Sequence, residues 1–470
     1  MKLAVVVQRY GADISGGAEL HARYIAEHLA RHASVEVLTT CARDYVTWRN
    51  ELPAGVETVN TVPVRRFPVS RERLPDDFGR QSARVFNRAH SIADELAWLE
   101  SEGPTSPALL DHLERAAADF DFVVIFSYRY YHAWHGARRV SAKAVLVPTA
   151  ERDAAMGLAI FPPVFRGVRA VMYNSHEERA MIHAAAGNQD VPGVVVGVGS
   201  DVPEHPEPAR FRKRFNVARP FAIYVGRIDE NKGCGELFDY FQRYAMTFPR
   251  GLDLVLIGSA IMSVPKHPRI RHIGFVADQD KFDAMAAADV LIMPSYFESL
   301  SMVALEAWAL GKPVLANGRC DVLKGQCIRS GAGLYYESYE EFAETLYSLE
   351  SNGPLNARLG RNGREYFTRH YAWPVIERKY LATFERLQRE PAPRAPGPLP
   401  GWFARRRRNL PAAADVLARL PSGPVVAAIR AEPAAVPEED RRAADRRPEP
   451  RRQDDHRYRG RHDRRGTRRT

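Results

Sequence analysis

The sequence predicts an α/β protein of two doubly wound domains followed by a basic tail. Three observations lead there. Short apolar, β-branched runs alternate with helical patterns through most of the chain, as parallel strands and their crossover helices do. These runs are apolar throughout rather than alternating, so both faces of each sheet are covered. Between the two series, Asp201-Val202-Pro203-Glu204-His205-Pro206-Glu207-Pro208 sets three prolines in eight residues, which neither a helix nor a central strand tolerates.

In order along the chain, strands are expected at 3–7, 35–39, 64–69, 122–126, 144–147, 171–174 and 194–196, then at 222–225, 254–257, 270–273, 290–293, 313–316 and 333–336. Helical patterns at 340–349, 354–370 and 374–388 close the second half. The expected domains are 1–200 and 201–390, with a Pro/Arg-rich tail at 391–470. Five prolines fall in 391–400, and almost nothing apolar follows residue 431, so the tail is expected to be largely disordered.

Composition narrows the partners. The 470 residues are 45% hydrophobic with four cysteines, enough for more than one core and too few thiols for a disulfide scaffold. A formal charge of +10 raises nucleic acid as a partner until its location is read. Residues 401–470 hold 19 Arg, no Lys and 10 Asp plus Glu, which leaves residues 1–400 near neutral. No nucleic-acid partner is expected for the body. Trp402, Phe403 and Arg405 to Arg408 make an anionic membrane surface a candidate partner of the tail, against the alternative of a solvated charge run. Cys41, Cys234, Cys320 and Cys327 form no Cys-x-x-Cys pair, so reduced core thiols are expected. The apolar run after Met1 is too short for a signal-peptide core, and no run of about 18 apolar residues occurs. A cytoplasmic protein, peripheral at most to a membrane, is expected.

Ligands of open α/β sheets bind beyond the carboxyl ends of the strands, so the loops after strands carry the chemistry. Gly16-Gly17 opens a helix, where free N–H groups favour an anion, although a tight turn uses the same residues. The pattern is neither Gly-x-Gly-x-x-Gly nor a P-loop. Gly226-Arg227-Ile228-Asp229-Glu230-Asn231-Lys232-Gly233 sets two cations five residues apart at a strand end. An Arg fork with a Lys point charge suits a diphosphate; a solvated loop is the alternative. In Glu298-Ser299-Leu300-Ser301 a carboxylate follows a strand, and the next residues begin a helix whose N–H groups face the same cleft. Glu306 lies further along among Val303, Ala304, Leu305 and Ala307, too apolar a setting for a surface carboxylate. The first carboxylate can accept sugar hydroxyls and the deeper one ribose hydroxyls. Asp119-Phe120-Asp121 imitates a metal-binding Asp-x-Asp, yet it precedes a strand and is expected to be structural.

These residues, with Glu298 and Glu306 eight apart and Ala307-Trp308-Ala309-Leu310-Gly311-Lys312-Pro313-Val314 behind them, resemble family 4 of the retaining GT-B glycosyltransferases. The resemblance takes in Gly16-Gly17-Ala18-Glu19 and Gly197-Val198-Gly199-Ser200-Asp201 and covers roughly residues 1–388. It implies the GT-B fold, and transfer of a hexosyl unit from a UDP- or GDP-linked sugar to a glycan or lipid-linked hydroxyl with retention of configuration. By the resemblance Arg227 and Lys232 hold the diphosphate, Glu298 binds the hexose near the reacting carbon, and Glu306 binds the ribose. The helix start at Ser299, Leu300 and Ser301 caps the distal phosphate, Gly16, Gly17 and Gly226 admit it closely, and Gly258 and Phe275 belong to the base pocket. No cofactor and no metal are implied; the nucleotide sugar is a substrate. Many relatives carry a His in the acceptor loop. Here Pro148-Thr149-Ala150-Glu151-Arg152-Asp153 has none, so Glu151 or Asp153, or His132 or His135 from the neighbouring aromatic loop, is expected on the acceptor side. A nucleotide-sugar epimerase or phosphorylase, and a non-catalytic nucleotide-sugar binder, are the alternatives.

Overall fold

The computed structural model describes residues 1–14, 16–392 and 419; the membrane-anchor candidates Trp402, Phe403 and Arg405 to Arg408 lie outside the described residues. The first sheet comprises β1 (Lys2–Val6), β2 (Ser34–Thr40), β3 (Gly55–Val59), β4 (Val62–Phe67), β5 (Phe122–Phe126), β6 (Ala144–Val147), β7 (Ala170–Tyr173) and β8 (Gly193–Val195). Its order is β3-β4-β2-β1-β5-β6-β7-β8. The second sheet comprises β9 (Phe221–Val225), β10 (Asp253–Ile257), β11 (Ile270–Gly274), β12 (Val290–Met293), β13 (Val314–Asn317) and β14 (Gly333–Tyr336), in the order β11-β10-β9-β12-β13-β14. All pairings are parallel except that of β3 with β4. Central strands such as β5, β6, β9 and β12 are buried along their whole length, as runs covered by helices on both faces must be.

Two features depart from the expected elements. Strand β3 was not expected, because it is a mostly exposed edge strand paired on one side only and lacks an apolar run. Its partner β4 ends at Phe67, earlier than the expected 64–69 strand, since Pro68 has no N–H to continue the ladder. Helix Trp373–Arg389, the last among the described residues, was expected to close the second half and instead packs on the first sheet's domain. Phe384 stacks on Phe122 with centroids 5.1 Å apart. Arg169 donates to the carbonyls of Leu387, Glu390 and Pro391. His28 stacks on Trp373 and pairs with Glu377 at 2.7 Å. Where the chain recrosses, Tyr371 and Trp373 lie so close to the outgoing 197–199 segment that a Cβ at Gly197 or Gly199 would fall 2.6 Å from their rings.

Each sheet has a switch point, where strand order reverses: beside β1 in the first and beside β9 in the second. The loops after β1, β9 and β12 open there, which is where such sheets form a crevice. Asp121 of the Asp-x-Asp imitation receives the backbone N–H of Lys2 at 2.7 Å and so fastens the opposite, amino end of β1. All four cysteines are buried free thiols. No helix among the described residues is long and apolar enough to cross a membrane.

Two histidines are sealed in the first domain. Burial holds the His21 imidazole down to about 3 and His132 down to about 4, each only partly offset by a backbone hydrogen bond. Depressed folded values mean that stability is complete above the ordinary value near 6.5 and is lost as pH falls toward 4. Stability should therefore fall between pH 7.5 and 5 by about 1–2 kcal/mol for each histidine, read as a lower urea midpoint. His132→Gln should flatten that slope, and parallel slopes in variant and parent would contradict the assignment.

Candidate active site at the facing sheet ends

Three loops of the second domain are pressed together by glycines. Gly233 sits at φ +73°, and a Cβ there would collide with the carbonyl of Pro294, the first residue after β12. Gly258, at φ +132°, abuts the carbonyl of Gly226 in the same way. Backbone bonds from Gly226 to Ile257, Ile228 to Ser259 and Gly258 to Gly274 extend the ladder past the strand ends. The loops after β9, β10, β11 and β12 thereby become one surface.

On that surface Lys232 Nζ lies 2.8 Å from Glu298 Oε1. Burial alone would lower the Lys232 ammonium, but the charges of Glu298 and Glu151 more than offset it and hold it above its ordinary value. Arg227 pairs with buried Asp229 at 2.5 Å and donates to the Tyr45 hydroxyl at 3.2 Å. Ser301, the N-cap of helix Met302–Ala309, accepts from the N–H of Ala304, and Leu300 beside it is buried. Glu306 is only 2% exposed; its Oε1 meets Lys281 Nζ at 3.1 Å, and its Oε2 has no partner among the described residues. Burial raises its carboxyl and Lys281 pulls it back. Phe275, directly after β11 and next to Gly274, is 79% exposed. It adjoins Gly258 through the Gly258–Gly274 hydrogen bond.

The first domain reaches the same place. Gly16 caps helix Gly17–Leu29 directly above the buried Arg9–Glu19 pair, at 2.6 Å, and a Cβ at Gly16 would strike the Glu19 side chain. The Tyr45 ring lies 5.5 Å from the Arg9 guanidinium and 5.9 Å from that of Arg227, which links the two domains across the cleft. Asn174 reaches Ser299 Oγ at 3.4 Å, and Arg152 pairs with Asp321 at 2.8 Å. Half-buried Glu151 lies within electrostatic reach of the Lys232–Glu298 pair: desolvation and the Glu298 charge push its carboxyl up to about 7 against the pull of Lys232.

The other acceptor-side candidates have different surroundings. Asp153 caps the turn Ala154–Gly157 and is held by Arg129 at 2.6 Å and by the Tyr128 hydroxyl at 3.2 Å. His132 is 1% exposed with Nε2 on the Phe126 carbonyl, so it does not line the open cleft. His135 turns to Glu100 at 3.2 Å and to the rings of Tyr131 and Trp134, inside the first domain. Aromatic neighbours made both histidines attractive in the sequence, and helix packing claims them. Sequence reasoning gave no role to Arg9, Lys281, Asn174 or Glu178; each stands near the site only through tertiary folding.

Two cations and a capped helix start at one sheet switch point suit an anion such as a diphosphate, and the carboxylate beside them can accept hydroxyls. At an effective dielectric of about 20, a cation about 4 Å from a developing charge contributes about 4 kcal/mol, enough to outweigh a hundredfold change in rate.

Comparisons with known proteins agree with this architecture. Residues 207–366 match the family model described as Glycosyl transferases group 1. The chain is 29% identical over 220 residues to glycogen synthase of Mycobacterium tuberculosis (strain ATCC 25618 / H37Rv), covering 43% of this chain and 51% of the relative. It thus spans about half the length of the glycogen synthases it matches. A D-inositol 3-phosphate glycosyltransferase of Corynebacterium urealyticum is 23% identical over 417 residues, covering 82% of this chain and 94% of the relative. Among solved structures, sucrose-phosphate synthase from Thermosynechococcus elongatus aligns with a TM-score of 0.60 at 17% identity, over 82% of this chain and 99% of that one. Anabaena Alr3699/HepE in complex with UDP-glucose aligns with a TM-score of 0.60 at 17% identity, over 82% and 100%. The fold is GT-B.

Within this GT-B fold a Cβ at Gly258 would meet another backbone more closely than at any other described glycine of the second domain. Gly258→Ala places a methyl group against the Gly226 carbonyl at a φ that disfavours side chains. It should cost about 2–4 kcal/mol of stability, read as a lower urea midpoint. An unchanged midpoint would show that the loops are not pressed together.

Proposed function

We propose that the protein is a retaining glycosyltransferase that moves a hexosyl unit from a UDP- or GDP-linked sugar to a hydroxyl of a glycan or lipid-linked acceptor. The observation that carries this reading is the convergence of Arg227, the Lys232–Glu298 pair, the Ser301-capped helix and the unpartnered Glu306 Oε2 on one cleft. A buried carboxylate oxygen without a partner is costly. Ribose hydroxyls would supply the missing donor. Arg227 and Lys232 take up the charge on the leaving diphosphate, Glu298 holds the hexose, and Gly258 with Phe275 borders the base. Transfer on the same face as departure keeps the configuration, with a phosphate oxygen taking the acceptor proton. Glu151 accepts from a second hydroxyl of the acceptor and orients the attacking one.

This reading assigns leaving-group stabilisation to the protein's own cations and helix amides, and no metal or cofactor is proposed. It also puts the protein in the cytoplasm, with the segment from Trp402 to Arg408 resting on anionic lipid.

Incubation with a panel of UDP-, GDP- and ADP-sugars, with and without cell-envelope extract, should release nucleoside diphosphate in an acceptor-dependent way that survives EDTA. Epimer formation without release would favour the epimerase alternative, and binding without turnover a sugar-binding protein. Glu298→Gln and Lys232→Ala should each lower turnover by about 10² or more; near-normal rates in both would sink the site. Acceptor-dependent turnover should rise as pH passes through about 7, the value of the Glu151 carboxyl, and Glu151→Gln should abolish that step. Full-length protein should float with anionic liposomes and a chain ending at Glu390 should not; equal flotation removes the membrane role.

A further inference from the structure

Glu178 has no place in the chemistry above, yet it is among the most buried charged side chains of the first domain, 1% exposed. It stands in the first turn of helix His176–Ala186, whose cap Ser175 accepts its N–H at 3.1 Å. Its carboxylate turns inward to two loops. One oxygen accepts the N–H of Ala150 at 2.6 Å and the other the N–H of Asn174 at 2.5 Å. Ala150 follows β6 and Asn174 follows β7, which are neighbouring strands. Their ladder pairs Val145 with Ala170 and Leu146 with Val171 and goes no further. Past that point the loops separate, and the carboxylate bridges the gap.

What the two loops carry gives the bridge its meaning. The residue after Ala150 is Glu151, which feels the charges of the Lys232–Glu298 pair. The Asn174 side chain touches Ser299 at the mouth of the donor helix, and its Oδ1 is buried without a partner among the described residues. No cation within the described residues pairs with Glu178, so the fold bears the desolvation of a lone carboxyl, which burial pushes up to about 8 against the pull of the two amides. An apolar residue would avoid that cost but could not join two N–H groups.

We propose that Glu178 is a positioning residue: by receiving the Ala150 and Asn174 amides on its two oxygens, it fixes Glu151 opposite the donor site and aligns the acceptor loop with the Asn174–Ser299 contact. This rests on the transferase reading. It predicts that Glu178 governs how the acceptor is presented and leaves the grip on the donor nucleotide intact. Glu178→Gln keeps the shape but gives one oxygen to two donors, so one amide is released.

The test uses the full chain, wild type and Glu178→Gln, with UDP and GDP as binding probes and with whichever nucleotide sugar the wild type consumes. The expected result is nucleotide affinity within about twofold, with acceptor-dependent kcat/KM lowered by about tenfold to a hundredfold and donor hydrolysis raised relative to transfer. Amide exchange should accelerate in peptides covering 148–153 and 172–176 and nowhere else. Equal loss of nucleotide affinity and transfer, or unchanged exchange in those peptides, would overturn the proposal. Should the variant not fold, wild-type exchange decides alone: Ala150 and Asn174 amides as slow as those of β6 and β7 support the bridge, and loop-like rates refute it. A wild type that consumes no nucleotide sugar would refute the transferase reading while the exchange result still judged the bridge.

Discussion

Backbone contact without side chains is the constraint on which the site depends. Because Gly233 lies against the Pro294 carbonyl and Gly258 against that of Gly226, the loops leaving β9, β10 and β12 touch through main-chain atoms. A Cβ at either position would collide with the facing carbonyl and force the loops apart, and at Gly233 the Lys232–Glu298 distance of 2.8 Å would go with it. The cations and the carboxylate need no long flexible reach, since the loop backbones hold them at the switch point before any ligand arrives. Preorganisation of this kind is what makes a fixed charge effective against a charge that develops during reaction.

The two domains meet with different chemistry. Where the second domain's loops are fused by glycine contacts, the first domain approaches through single side chains: Tyr45 between Arg9 and Arg227, Asn174 against Ser299, and Arg152 on Asp321. Such contacts are polar, partly exposed and individually weak. They can be exchanged for ligand contacts at small cost, which the buried Asp229 and Gly258 interactions cannot. Arg227 illustrates the division, with one side of its guanidinium on Asp229 and another on the Tyr45 hydroxyl.

Much of the fold was legible because a parallel strand covered on both faces must be a short, continuous apolar run, and strands such as β5, β9 and β12 are written that way. Edge strand β3 escaped because its residues face solvent. The pattern also marked 374–388 as a helix without saying which sheet it serves; that depends on Phe122 and Arg169, more than 200 residues away in sequence. In the site, Arg227, Lys232, Glu298 and Glu306 could be singled out since loop ends after strands carry ligands and their spacing is local. Lys281 beneath Glu306 and Glu178 beneath the loop after β6 could not, because a lysine or glutamate on a helix looks like solvent-facing charge until its neighbours are known. The histidines show the converse: His132 and His135 looked reactive in an aromatic stretch, and the fold uses them to pack.

The return of helix Trp373–Arg389 to the first sheet has a consequence for how the protein is made. Phe122 and Arg169 belong to strands and turns translated early, but the ring and carbonyls that cover them come from residues 384–391. On the ribosome the amino-terminal domain therefore emerges with part of its core uncovered, and it waits while the entire second domain is synthesised. The second domain is, in topology, a long insertion into the domain it faces, and helix Trp373–Arg389, made after it, completes the first half of the molecule.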